Sequence, residues 1–346
     1  MSDYAPQIAE LLVAGQWEAV LEPAYRWASE AARQPPHNPL PHFALNIAHL
    51  LTGHFAEAFG THAKALQEVV DIDQVRVWVD ALVAAHPDRA TVHLIHALFL
   101  AQSGESEQSI VSYKEAIRLD PTSPHPHYFL AQIHERSAHP ELAIKCYREA
   151  IKLNPAYVQA RTNLGVIFQD QGQLELALPQ YREVIKLAPT DPTAHANLAC
   201  ALAEQGKIEP AIKSYKEALQ LNPNDADLHF ALGVIYAEKG RADLAMREYR
   251  EALVANPEYA PAETAIGWMI FDKGDLIESM DCFNRALKYD QCEAAAYYGI
   301  ARIYSRRGKP QLAKDHYAKA LEYEKNPQKR SQMLKRAFQE GWTWDV

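Results

Sequence analysis

Pro121, Pro155, Pro189, Pro223 and Pro257 stand 34 residues apart, and each closes a run such as Lys152-Leu153-Asn154-Pro155 or Gln220-Leu221-Asn222-Pro223. A fixed spacing of this length marks stacked supersecondary units, none of which can bury its apolar face alone. Frames of 34 residues starting at Ala90, Pro124, Val158, Pro192, Ala226, Ala260 and Ala294 follow one another without insertion, so seven units in register cover residues 90–327.

Within a unit the recurrent positions have physical readings. Position 7 is a large aliphatic (Leu130, Leu164, Leu198, Leu232, Ile266, Ile300), with His96 the exception. Position 8 is always small: Ala97, Ala131, Gly165, Ala199, Gly233, Gly267 or Ala301. A glycine inside a helix costs about 1 kcal/mol against alanine, so these glycines imply the close approach of a neighbouring helix. Position 24 is aromatic throughout, as Tyr113, Tyr147, Tyr181, Tyr215, Tyr249, Phe283 and Tyr317. It shares a helical face with the small residues of positions 20 and 27, such as Ala143 and Ala150. Rings set against small side chains let two helices interlock. Position 15 is Gly104, Gly172, Gly206, Gly240, Gly274 or Gly308, which suits the left-handed residue that ends a helix, and Ala138 breaks the pattern. Each unit therefore reads as helix A, a tight turn and helix B, ended by an Asn-Pro or Asp-Pro type of signal.

The strings Asn163-Leu164-Gly165, Phe168, Gly172, Ala177, Tyr181, Pro189 and Leu232-Gly233, Tyr236, Gly240, Ala245, Tyr249, Ala252, Pro257 resemble the tetratricopeptide repeat. That resemblance implies an all-α fold, a right-handed superhelical solenoid of antiparallel helix pairs. It also implies that the A helices line a concave groove able to hold another polypeptide.

The flanks are less regular. Residues 1–72 read as two diverged units, the first carrying Leu11, Gly15, Trp17, Ala19 and Ala28, the second Leu45, Gly53, Phe55, Ala58 and Ala65. The break Gln34-Pro35-Pro36-His37-Asn38-Pro39 lies between them. Residues 73–89 have space for a single linking helix ending at His86-Pro87, and the phase slip there predicts a change of superhelical direction or a partial domain boundary. Residues 328–346 predict a capping helix with Met333, Leu334, Ala337 and Phe338 on one side and Lys329, Arg330, Lys335 and Arg336 on the other. A tail with Trp342 and Trp344 follows, two large apolar side chains that are costly to leave in water, so they either fold back on the array or dock elsewhere.

The net charge of −9 is unevenly spread: residues 294–346 hold 11 Lys/Arg against 5 Asp/Glu, leaving −15 for residues 1–293. An acidic body lacks the basic stripe that nucleic acid requires, whereas the basic end suits an acidic partner or an anionic membrane surface. No long apolar segment or cationic leader is visible after Met1-Ser2-Asp3-Tyr4, so no membrane span is expected and the expected location is cytoplasmic. Cys146, Cys200, Cys282 and Cys292 share no metal or redox spacing and read as reduced packing residues.

Nucleotide-binding and hydrolase motifs are absent, so no catalytic residue and no cofactor is expected. Of 15 histidines, 12 fall between His37 and His139. His93 with His96, and His125 with His127 and His134, could come close enough to hold a metal. Without cysteine or carboxylate partners at ligand spacing they read as helix-surface and packing residues.

Function must then reside in surface shape. The family resemblance places positions 2, 5, 9, 12 and 13 of helix A on the groove. In the first two units these include Leu94, Leu98, Tyr128, Gln132 and Arg136, and in the middle Thr162, Val166, Gln169, Asp170, Ala196, Cys200, Ala203 and Glu204. Toward the end come Phe230, Val234, Thr264, Trp268, Phe271, Tyr298, Arg302 and Arg306, aromatics flanked by arginine, the residue types that dominate interface hot spots. Gln159, Thr162, Thr193 and Ala196 occupy groove positions where chaperone-tail-binding relatives carry cations, so that subtype is disfavoured. Asn163 and Asn197 at position 6 instead resemble the asparagine ladder of O-GlcNAc transferase repeats, which grips peptide backbone. Three functions fit: an adaptor holding a partner's segment in the groove, an assembly factor or fixed subunit of a larger and perhaps membrane-bound complex, or a separate-chain targeting module for an enzyme.

Overall fold

A computed structural model of the chain describes residues 4–31, 40–52 and 72–339. Among these residues the chain is a succession of helices with no strand, in two compact units, residues 1–171 and 172–346. The first unit contains α1 (Tyr4–Val13), α2 (Trp17–Ala31), α3 (Leu40–Thr52), α4 (Ile72–Ala85), α5 (Ala90–Gln102), α6 (Ser106–Leu119), α7 (His125–Arg136), α8 (Pro140–Leu153) and α9 (Val158–Asp170). The second contains α10 (Leu174–Leu187), α11 (Pro192–Glu204), α12 (Ile208–Leu221), α13 (Ala226–Glu238), α14 (Ala242–Ala255), α15 (Ala260–Lys273), α16 (Leu276–Tyr289), α17 (Ala294–Arg306), α18 (Pro310–Tyr323) and α19 (Pro327–Gln339). The B helices begin at Ser106, Pro140, Leu174, Ile208, Ala242, Leu276 and Pro310, 34 residues apart, so the sequence period is the structural period.

Position 24 builds the core. Tyr113, Tyr147, Tyr181, Tyr215, Tyr249, Phe283 and Tyr317 are all buried, as are the alanines at positions 20 and 27 beside them. The glycines of position 8 exist because these rings lie against them: a Cβ on Gly233 would meet Tyr249 at 2.5 Å, and one on Gly267 would meet Phe283 at 2.8 Å. Where serine replaces alanine at position 20, its hydroxyl finds a partner across the same tight contact. Ser109 Oγ donates to the Ala97 carbonyl and Ser279 Oγ to that of Gly267, both at 2.9 Å. Buried hydroxyls are tolerated only when bonded in this way.

Turn chemistry sets the period. Asp120, Asn154, Asn256 and Asp290 each accept a hydrogen bond from the backbone N–H two residues on, in Thr122, Ala156, Glu258 and Cys292. Such Asx turns end one helix and reverse the chain into the next. Asp191, Asp225 and Asp275 then cap the following helices through backbone N–H groups. Between helices A and B the chain turns through a left-handed residue: Gly274 has φ 94°, and Ala138 adopts φ 56° at the equivalent point.

In the first unit, Thr91 Oγ1 donates to the Val13 carbonyl at 2.7 Å and so joins α1 to α5. α3 lies against the A helices: Phe43 meets Phe99 edge-on with centroids 5.8 Å apart, and Gln102 Nε2 donates to Asn46 Oδ1 at 2.6 Å. In the second unit α19 closes the last pair, with Met333 packed on the cluster of Ala301, Tyr317 and Leu321 and its carbonyl accepting from the Tyr317 hydroxyl.

Candidate partner-binding face

The A-helix face of the first unit is largely occupied. Leu94, Leu98 and Tyr128, assigned to the groove by register, are each only 3% exposed. Leu50 of α3 lines a cleft of about 500 Å³ together with Leu98, Phe129 and Ile133, and Leu51 and Thr52 line a second of about 290 Å³ with His125 and Tyr157. Asn163 is not a free rung. Its Nδ2 donates to the Tyr147 hydroxyl at 3.0 Å, and that hydroxyl donates to Glu135 at 2.9 Å. Burial raises the Tyr147 phenol far above its ordinary pKa, so the hydroxyl keeps its proton and links the two helices. Gln132 similarly donates to the Tyr128 hydroxyl at 3.0 Å.

The second unit presents a different face. Ala196, Asn197 and Cys200 on α11 are half-buried. On α13, Phe230 sits between Tyr249 and Tyr259, with ring centroids 5.6 and 5.7 Å away, and Val234 is half-buried one turn on. Burial, followed by the nearby Glu238, pushes the Tyr249 phenol up to about 12.

Trp268 is the hub of the region that follows. Its ring lies 5.4 Å from each of Phe271, Phe283 and Tyr298, and Tyr298 continues to Tyr317 at 5.3 Å. Trp268 and Tyr298 keep part of their surface open, whereas two neighbours do not. Thr264 and Phe271 are 4% and 2% exposed, which corrects their assignment to the open face. Phe271 is roofed by the Arg306 guanidinium, 3.9 Å from the ring centroid, and Arg306 Nη1 also donates to the Phe271 carbonyl at 3.4 Å. Thr264 is enclosed with its Oγ1 unbonded. Arg302 is half-buried and Arg306 exposed.

Trp268, Ala295, Tyr298, Glu324, Lys329, Gln332 and Met333 line a cleft of about 460 Å³, so α19 forms its far wall. Sequence register identifies Trp268 and Tyr298 but misses this wall, because α19 lies outside the repeat and docks through Met333. The tail residues Trp342 and Trp344 lie outside the described residues.

The remaining polar clusters serve the scaffold. Position 4 fastens the preceding loop: His93, His195 and His229 hydrogen-bond through Nε2 with the carbonyls of Pro87, Pro189 and Pro223, and Arg161 Nε donates to that of Pro155. Buried Glu263 is held by both Nε and Nη2 of Arg285, at 2.8 and 2.9 Å, and this bond raises the guanidinium pKa further. His229 Nδ1 similarly lies 2.9 Å from buried Glu248. No group of three or more metal-ligating side chains occurs among the described residues.

Comparison with known proteins agrees with this architecture. The "Tetratricopeptide repeat" family matches residues 128–192, 226–259 and 294–327, and the description "TPR repeat" matches residues 99–137 and 201–240. A tetratricopeptide repeat protein from Parabacteroides merdae superposes with a TM-score of 0.60 at 16% identity, covering 71% of this chain and 97% of that one. The APC/C hetero-tetramer Cut9-Hcn1 superposes with a TM-score of 0.51 at 16% identity, over 82% of this chain and 59% of that one. YrrB, a TPR protein with an unusual peptide-binding site, reaches a TM-score of 0.48 at 21% identity over 54% of this chain and 96% of its own. The comparison with curated proteins returned no match. At 16% identity the first two structures speak for the fold alone, and the repeat matches, which together cover more than half of the chain, establish that it belongs to the tetratricopeptide repeat family.

Proposed function

We propose that this chain is a non-catalytic interaction scaffold that holds a segment of a partner polypeptide against the A-helix face of its second unit. The observation that carries the reading is the half-open Trp268–Tyr298 shelf and the cleft of about 460 Å³ beside it. Its volume lies within the range of about 300–1,000 Å³ usual for ligand-holding clefts. Tryptophan, tyrosine and arginine at the centre of a concave patch carry most of the energy of typical interfaces.

The test compares capture of proteins from native lysate by the full chain and by two variants. Trp268→Ala should lose the bands retained by the unaltered protein, whereas Val254→Ser, at a site 75% exposed on a B helix, should keep them. Equal retention by both variants, at unchanged melting temperatures, would rule out the A-helix face.

A further inference from the structure

We infer that the Trp268–Tyr298 cleft takes an acidic partner segment, in which one bulky aromatic or aliphatic side chain is flanked on both sides by carboxylates. The inference rests on the scaffold reading above and adds the chemistry of the partner.

The floor and walls supply the anchor site. Trp268, Tyr298 and Met333 surround the cleft with apolar and aromatic surface, and Tyr317 and Phe283 lie behind them as buried, immobile supports. A partner ring placed there meets Trp268 and Tyr298 at the spacing these two already keep from their other neighbours. Met333 adds a pliable wall that suits more than one apolar shape.

The rim supplies the charge preference. Arg306 stands exposed on one side, anchored over Phe271, which itself touches Trp268. Lys329 stands exposed on the other side and lines the cleft directly. The opposing carboxylates are Glu324, beside Lys329, and Asp272, next in sequence to Phe271. A third carboxylate, Glu293, faces Lys329 and offsets it, with burial first and then Asp290 raising its pKa. Beyond the rim, α18, α19 and the turns that lead into them expose Lys309, Lys319, Lys325, Arg330 and Lys335, and residues 294–346 carry 11 Lys/Arg against 5 Asp/Glu. At physiological ionic strength charges are felt over about 8 Å, which is enough for the two rim cations to select the residues that flank an anchored side chain. A basic segment would meet these cations during approach and be disfavoured.

The experiment is selection of a displayed random peptide library against the full chain, followed by affinity measurement on synthetic copies of the peptides recovered. Enriched sequences should pair a Phe, Trp, Leu or Met with at least two neighbouring Asp or Glu. Because Trp268 also packs on Phe283, the exposed double variant Arg306→Glu, Lys329→Glu carries the decision. It should weaken those peptides by about tenfold or more, the scale of lost close charge pairs, and Lys329→Glu alone, at an exposed site, should weaken them severalfold without changing the melting temperature. Recovered peptides with basic or uncharged flanks, or affinity unmoved by the double variant, would overturn the inference while leaving the scaffold reading intact. No enrichment at all would also overturn it, whereas the scaffold reading is judged by its own capture test. Displacement of the peptides by phosphatidylserine vesicles, with tighter binding to the vesicles than to any peptide, would assign the cations to a membrane surface instead.

Discussion

Position 6 of helix A is the same slot in every repeat, and Asn163 in the first unit and Gly299 in the second fill it in opposite ways. In the first, Phe129 stacks on Tyr113 with centroids 6.4 Å apart and planes 11° from parallel, and Asn163 donates to the Tyr147 hydroxyl. Both partners are position-24 aromatics of the preceding repeat. In the second, position 6 of the last repeat is Gly299, and a Cβ there would lie 2.3 Å from the Phe283 ring. The slot has a fixed volume, shared between the side chain at position 6 and the ring behind it. Tyrosine brings a hydroxyl that needs a partner, which asparagine provides in the first unit. Phenylalanine brings none, so Phe283 can advance into the space that glycine vacates and support Trp268 from beneath. One solution gives a polar link between helices, the other an aromatic shelf left partly open.

The largest expected effect comes from removing that support. Phe283 is fully buried, and Phe283→Ala should cost about 3–5 kcal/mol, as for other deletions of a core ring. Chemical denaturation measures it. A loss under about 1 kcal/mol would mean that neighbours collapse into the gap and that the shelf stands without Phe283, which would break the comparison.

Acid should separate the units next, through several groups together. In the first unit His125, His127, His96 and His134 all have pKa values lowered from the ordinary 6.5, with burial the leading cause in each. His96 is partly restored by Asp80, and His127 by Glu149. A lowered histidine pKa means that the unfolded chain binds protons first, so stability present above pH 6.5 is lost as pH falls through that value toward the folded pKa. In the second unit Glu293 has a raised pKa caused first by burial, so its cost is felt as pH rises and vanishes in acid. Hydrogen exchange followed from pH 7.5 to 5 should show α5 and α7 losing protection before α15 and α17. Uniform loss would contradict the distinction.

Gly299→Ala is smaller: overpacking against Phe283 should cost about 1–3 kcal/mol. The double variant Gly299→Ala, Phe283→Leu should recover part of that loss, and failure to do so would show that the two residues do not share one volume.

The extent to which this architecture is legible in sequence follows from which contacts are periodic. The 34-residue frame, the aromatic at position 24, the small residue at position 8 and the left-handed turn all arise inside one repeat, and each recurs where the structure has it. Position 6 carries no such signature: Ile95, Phe129, Asn163, Asn197, Ala231, Ala265 and Gly299 share no property, and Phe129, Asn163 and Gly299 each meet a different ring across the repeat boundary. That is why Asn163 has the outward look of a peptide-gripping rung while its amide is committed to Tyr147. Thr264 and Phe271 follow the register of exposed residues, yet neighbours far along the chain cover them, as Arg306 does Phe271. The overlay of α3 on Leu98 likewise joins segments with unrelated patterns, and no periodicity encodes it.

The smallest effect is a gain, and it tests the turn that makes the repeats possible. Ala138 occupies the left-handed region with φ 56°, where Gly104 in the same unit has φ 84°. A Cβ in that region strains against the following carbonyl by about 1–2 kcal/mol. Glycine removes this strain but gives the unfolded chain more freedom, which returns about 0.4–1 kcal/mol. Ala138→Gly should therefore stabilise the first unit by about 0.5–1 kcal/mol, while Gly104→Ala should destabilise it by a similar amount. Pro140, at the start of α8, limits the freedom of the unfolded chain beside Ala138 in either variant and keeps the turn in place. Thermal unfolding of the two variants should then move in opposite directions. Equal or same-sign shifts would show that the left-handed residue is not what limits the turn, and that the Pro140 start of α8 alone enforces it.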